Sequence, residues 1–160
     1  MAASGQVMDA EHSEALAPLP IASISLRIVA FILDCILMVG FFMLFFALGG
    51  LQLVLRGDSY PESAVYIWVG AIGAFFFPFA PALFALLWAW RSQSLGMMAV
   101  GLIITTREGY RLSHSRALLR TLAWPLSVLP FGVGLLPGFF DSEHRALHDR
   151  LAGTVVRELR

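Results

Sequence analysis

The sequence predicts an all-α membrane protein: two transmembrane helices, a third broken or re-entrant Pro/Gly-rich hydrophobic segment, and a small cytoplasmic β-hairpin or strand pair. Three observations point there. Of 160 residues, 58% are hydrophobic and only 14% charged, which is outside the balance of a soluble domain. The charges gather in loops and tails rather than along helix faces. Two apolar runs each exceed the ~20 residues needed to cross a hydrocarbon core about 30 Å thick.

The first twenty residues carry Asp9, Glu11 and Glu14 and no Lys or Arg. A secretory signal needs a basic start, so 1–20 reads as a retained, disordered cytoplasmic tail and 21–160 as the membrane domain. The first span is expected at about 25–48, with Gly49 and Gly50 marking its end. A polar turn follows from Arg56 to Glu62. The second span is expected at about 63–90, and Pro78 and Pro81 inside it predict a kink or local break. Trp88 and Trp90, followed by Arg91, read as an interfacial belt. The Phe75–Phe79 stretch reads as lipid-facing or packing bulk.

Beyond Arg91 the pattern changes. Gly101-Leu102-Ile103-Ile104-Thr105-Thr106 is short and β-branched, and Arg107-Glu108-Gly109-Tyr110-Arg111 supplies a Gly-bearing turn. Ser113 is a candidate N-cap for a helix with Arg116 and Arg120 on one face. Gly153-Thr154-Val155-Val156-Arg157 is a second strand candidate. The two strands can pair only on one side of the membrane, which constrains the third apolar segment at about 117–140. Two crossings need about 40 residues, and one crossing separates the strands. A re-entrant or broken hairpin keeps them together, and irregular backbone is tolerated at membrane depth where protein buries it.

Arginine placement favours that hairpin. Arg91, Arg107, Arg111, Arg116 and Arg120 lie in the connector, and Arg145, Arg150, Arg157 and Arg160 near the C-terminus, against Arg56 alone in the first loop. The positive-inside rule then places the connector and both termini in the cytoplasm. No basic stripe points to nucleic acid. Cys35 is the single cysteine, so an internal disulfide is excluded. No Walker or dinucleotide pattern occurs, and His144 and His148 lack the His-Glu-x-x-His arrangement of a zinc hydrolase. No metal, cofactor or enzymatic activity is expected; the two histidines read as packing and capping residues.

Asp34 is the one charge between Ile28 and Gly50, and an intramembrane carboxylate is a functional-site hypothesis by default. Arg27 stands seven residues earlier, on the same helix face but ~10 Å away along the axis. That gap is long for a direct pair, so a water or a third residue is expected between them: Asp149, Arg120 or Arg116. Asp149, close to a helix end, is expected either to bond backbone N–H groups of the following turn or to pair with Arg27.

These residues resemble the RDD family of small bacterial membrane proteins, named for one Arg and two Asp. Its Arg at the start of the first membrane helix matches Arg27 in Ser25-Leu26-Arg27. Its first Asp matches Asp34 in Phe31-Ile32-Leu33-Asp34, and its second, in a His-Asp pair, matches His148-Asp149. The family's connector resembles Gln93-Ser94-Leu95-Gly96, Gly101–Ile104, the Gly109 turn and Ala117–Arg120; Met97 and Met98 depart from it where basic residues are common. The resemblance implies transport, with sodium/proton antiport proposed for some members. The expectation is an inner-membrane, multi-pass component for transport of ions or small solutes, proton- or sodium-coupled. Arg27, Asp34 and Asp149 are its charge cluster, supported by His148, Arg120 and Arg116. Its expected partners are the lipid bilayer and further copies or other membrane subunits. The alternative is a scaffold or assembly factor in which the same cluster is structural.

Overall fold

The structure, a computed structural model, describes residues 19–56, 61–128 and 132–159. The acidic tail through residue 18, positions 57–60 of the polar turn, Pro130 and Arg160 lie outside the described residues.

Helix α1 spans Ile24–Arg56 and α2 spans Glu62–Arg91. At 1.5 Å per residue they are about 50 and 45 Å long, more than a hydrocarbon core requires. Their apolar windows have mean hydropathy 2.7 and 2.0, yet only 11% and 6% of those residues are buried. A core helix of a soluble protein would bury such a surface, so these outward-facing helices suit a lipid solvent.

Both helices outlast the breakers in their sequences. α1 continues through Gly49 and Gly50 to Arg56, past the expected end at Leu48. α2 is continuous through Pro78 and Pro81, so the expected local break does not form. Glycine costs about 1 kcal/mol in a water-exposed helix, but in lipid no water waits to replace a broken backbone bond. Gly49 also admits Trp68, because a Cβ there would lie 2.1 Å from the indole. Where α1 and α2 meet, the contact is aromatic. Phe76 lies against Phe41 and Phe42 with centroids 5.6 and 5.1 Å away, and Phe79 stacks on Phe41 at 5.6 Å. Phe77, by contrast, faces outward.

A short helix α3, Leu95–Val100, leads into β1, Leu102–Thr106, which pairs antiparallel with β2, Thr154–Glu158. The register runs from Leu102 opposite Glu158 to Thr106 opposite Thr154. Gly109 closes the expected turn, with the Thr106 N–H donating to the Tyr110 carbonyl. The chain entering α1 lines the other edge of β2: Ala22 N–H donates to the Val156 carbonyl at 3.0 Å, and Glu158 N–H to the Pro20 carbonyl at 2.9 Å. Ala22, Leu102, Ile104, Leu112, Ala117 and Val156 form the core around this sheet.

Helix α4 spans His114–Val128, with the Ser113 hydroxyl accepting the Arg116 N–H as the expected cap. It is ~22 Å long, short of a full crossing. A 3-10 turn at Val133–Leu135, helix α5 at Pro137–Phe140 and helix α6 at Leu147–Ala152 then lead to β2. The third hydrophobic segment is therefore several short pieces. On α4, Leu118, Leu119, Leu122 and Leu126 face outward, while Ala117, Arg120, Thr121 and Ser127 are buried.

Candidate functional site

Asp149 lies at the third position of α6 and is fully buried. The first turn of a helix has unpaired N–H groups, and Asp149 Oδ2 accepts that of Ala146 at 3.0 Å. The same oxygen accepts from Arg27 Nη2 at 2.6 Å, and Oδ1 accepts from Arg120 Nη1. The expected contact with Arg27 is present, and the backbone bond goes back to Ala146, just before α6, rather than to the following turn.

Arg120 is buried to 2% exposure. Its guanidinium also donates to the Thr154 hydroxyl at 2.7 Å and lies 5.0 Å from the Trp88 ring centroid, a cation–π contact strengthened by exclusion from water. Trp88 is accordingly a buried cover for Arg120, and only Trp90 is exposed as an interfacial residue would be. The expected two-Trp belt is half right, because α4 packs over the inner face of α2. Arg116 reaches the Gly153 carbonyl at 3.0 Å and supports the turn into β2 rather than Asp149 itself.

Burial opposes ionisation of Asp149, but Arg120, the neighbouring His148 and Arg27 outweigh it and hold the carboxyl well below the usual carboxylate range. His148 moves the other way from a surface histidine. Burial, then the Arg120 charge, push its imidazole down to about 4, so it is neutral at pH 7. Its 3.6 Å approach to Asp149 is then no ion pair. The ring is held by the Ser127 hydroxyl, 2.9 Å from Nδ1, which also accepts the His148 backbone N–H at 3.1 Å. With two guanidinium charges against one carboxylate, the cluster keeps one positive charge.

Asp34 is elsewhere. It is buried on α1, and its partners are the Ser94 hydroxyl, donating to Oδ2 at 2.6 Å, and the Gly96 N–H, donating to Oδ1 at 2.7 Å. The Ser94 oxygen also caps α3 by accepting the Met97 N–H. Gly96 is what lets α3 come this close, since a Cβ would sit 2.1 Å from the Ala30 carbonyl oxygen. Among the described residues Asp34 makes no ion pair with Arg27, Asp149, Arg116 or Arg120. The expected single cluster is two sites: Arg27 bonds Asp149 near the start of α6, while Asp34 is held by Ser94 and Gly96 at the start of α3.

Sequence reasoning paired Arg27 with Asp149 and missed Ser94, Gly96, Ser127 and Thr154 as partners. Ser94 and Gly96 carried a readable signal, a Ser-x-Gly start to a short helix. Ser127 and Thr154 carried none, since only the docking of α6 on α4 brings them to His148 and Arg120. His144 and His148, four apart in sequence, have separate partners: His144 Nδ1 bonds the Gly138 carbonyl at 3.2 Å.

Comparison with curated proteins and with solved structures gave no match. The family comparison did, covering residues 21–153, a stretch that contains both carboxylate sites and the helices that build them. The chain belongs to the RDD family.

Proposed function

We propose that the chain is an inner-membrane component of a bacterial cell that moves ions or small solutes, coupled to protons or sodium, with Asp34 as the exchanging carboxylate. One observation carries this reading: Asp34 is a buried acid on a membrane-length helix whose partners are neutral donors. A carboxylate without a fixed counter-charge can take and release a cation or proton. Asp149, matched against two arginines, cannot do so without breaking its surroundings.

The pairing of β1 with β2 and the bond from Arg27 to Asp149 support a re-entrant third segment, since one full crossing would separate them. With the arginines of the connector and tail, this favours cytoplasmic termini. Two spans enclose little protein, so a pathway at an interface between copies or with another membrane subunit is part of the proposal. No enzymatic role is proposed, because Ser127, the hydroxyl beside His148, is fully buried and committed to it.

The test is proton-coupled sodium flux into proteoliposomes under an imposed pH gradient. Flux lost in Asp34→Asn with insertion intact supports the reading, and unchanged flux removes Asp34 from coupling. The Arg27–Asp149–Arg120 clamp favours a second reading, a scaffold. That reading expects Arg27→Ala to lower folded protein and the wild type to move no solute.

A further inference from the structure

Helix α2 closes on Arg91, and Ser92 then turns the chain through the left-handed region at φ 56°. The turn lays Ser92 along the edge of β1 that β2 leaves open. Its carbonyl accepts the Ile104 N–H at 2.7 Å, and its hydroxyl accepts the Leu112 N–H at 3.1 Å. Arg111, on the return arm of the hairpin, bridges to Thr105 of the same strand. Arg91 and Arg111 are therefore each one residue away from the bond that joins Ser92 to Leu112. Chain geometry then puts their Cα atoms at most about 15 Å apart, within the combined reach of two arginine side chains and one phosphate. Both are exposed, and among the described residues neither side chain has an ion pair or a hydrogen bond. The arginines around them are committed. Arg107 pairs with Glu143 at 3.3 Å, Arg116 donates to the Gly153 carbonyl, and Arg157 donates to the Thr105 hydroxyl and the Leu19 carbonyl.

We propose that Arg91 and Arg111 together bind the phosphate of an anionic phospholipid at the membrane surface. Three observations select that partner. The first is position: Arg91 ends a membrane-length helix, where hydrocarbon gives way to headgroups. The second is the pair of aromatic neighbours. Trp90 is 74% exposed and Tyr110 40%, and such rings settle at headgroup level with an apolar body and a polar tip. The Arg91 guanidinium lies 6.0 Å from the Trp90 ring centroid, which keeps it at that level. The third is charge. Two guanidinium groups without a counter-charge call for an anion, and their planar forks match phosphate oxygens. A zwitterionic headgroup carries its own ammonium, so an anionic lipid gains more from the pair. This inference goes beyond the transport reading and does not rest on it.

The test is native mass spectrometry of the full chain in a non-ionic detergent, titrated with equal amounts of phosphatidylglycerol and phosphatidylcholine of the same acyl chains. Retention of one phosphatidylglycerol in preference to phosphatidylcholine is expected. The preference should fall about fivefold in Arg91→Gln or Arg111→Gln and about thirtyfold in the double variant. Arg107→Gln removes the same charge from the neighbouring turn, where it is already paired, and should leave the preference unchanged. Melting without lipid checks that each variant is folded, and either single variant carries the test if the double variant is not. Equal retention of the two lipids would overturn the proposal, as would an equal loss in Arg107→Gln, which would make the attraction a general field. Displacement of the lipid by millimolar inorganic phosphate would assign the arginines to a soluble anion and overturn it too.

Discussion

Asp34 and Asp149 are both buried acids that accept short hydrogen bonds, and they differ in the charge behind the donors. Asp149 is clamped by two guanidinium groups and a backbone N–H, from α1, α4 and the start of α6. Asp34 is held by a hydroxyl and a backbone N–H, both from the start of one short helix. The first arrangement has no stable state without its negative charge; the second survives the loss of it. The difference separates a fastening from a site that can change state.

Replacing each acid by its amide tests that separation most strongly. Asp149→Asn leaves two arginines without their carboxylate, Arg120 nearly completely buried, and is expected to cost about 3 to 5 kcal/mol. Asp34→Asn keeps an acceptor for Gly96 and a donor for Ser94, and is expected to cost under about 1 kcal/mol. Melting of the two purified variants in detergent makes the comparison, and equal losses would break it.

Acid titration is next in size. His148 has its pKa lowered from 6.5 to about 4 by burial and by Arg120. The unfolded chain therefore binds the proton first as pH falls. Its neutral-state stabilisation is complete above 6.5 and is lost down to about 4, where the total reaches about 3 kcal/mol. Melting profiles across that window should slope, and His148→Gln should flatten them. Asp149, whose pKa is depressed, adds its own loss only at pH below the usual carboxylate range.

Gly96→Ala, which would drive a Cβ into the Ala30 carbonyl, is expected to cost about 1 to 3 kcal/mol by pushing α3 away from α1. Ser94→Ala follows, at about 1 to 2 kcal/mol for the lost donor to Asp34 and the lost cap on Met97, with Asp34 still bonded to Gly96. Both should alter Asp34-dependent flux while leaving the Asp149 clamp intact. A change in the slope contributed by His148 in either variant would show that the two sites are coupled after all.

Much of this was legible in the chain because membrane spans and strand pairs are written in long or alternating apolar runs. The two spans, the strand pair and the Arg27–Asp149 contact follow from hydropathy, β-branching and a family motif. Gly49–Gly50 do not end α1, and of the kink or local break that Pro78 and Pro81 predict, the break does not form; lipid leaves the helix no alternative partner. The split of the charge cluster was not legible, because Arg27 and Asp34 share a face. Only the close seat of α3, allowed by Gly96, gives Asp34 partners of its own.

The bond from Arg27 to Asp149 joins residues 122 positions apart. A ribosome making about 5 to 20 residues per second needs roughly 6 to 25 s to cover that distance. For that time α1 carries its arginine at the membrane surface with its final carboxylate not yet made. A lipid phosphate or water must stand in until α6 emerges. The clamp is therefore a late event of biogenesis, followed only by the pairing of β2 with β1, and a chain truncated before Asp149 would keep both spans yet leave Arg27 with its provisional partner.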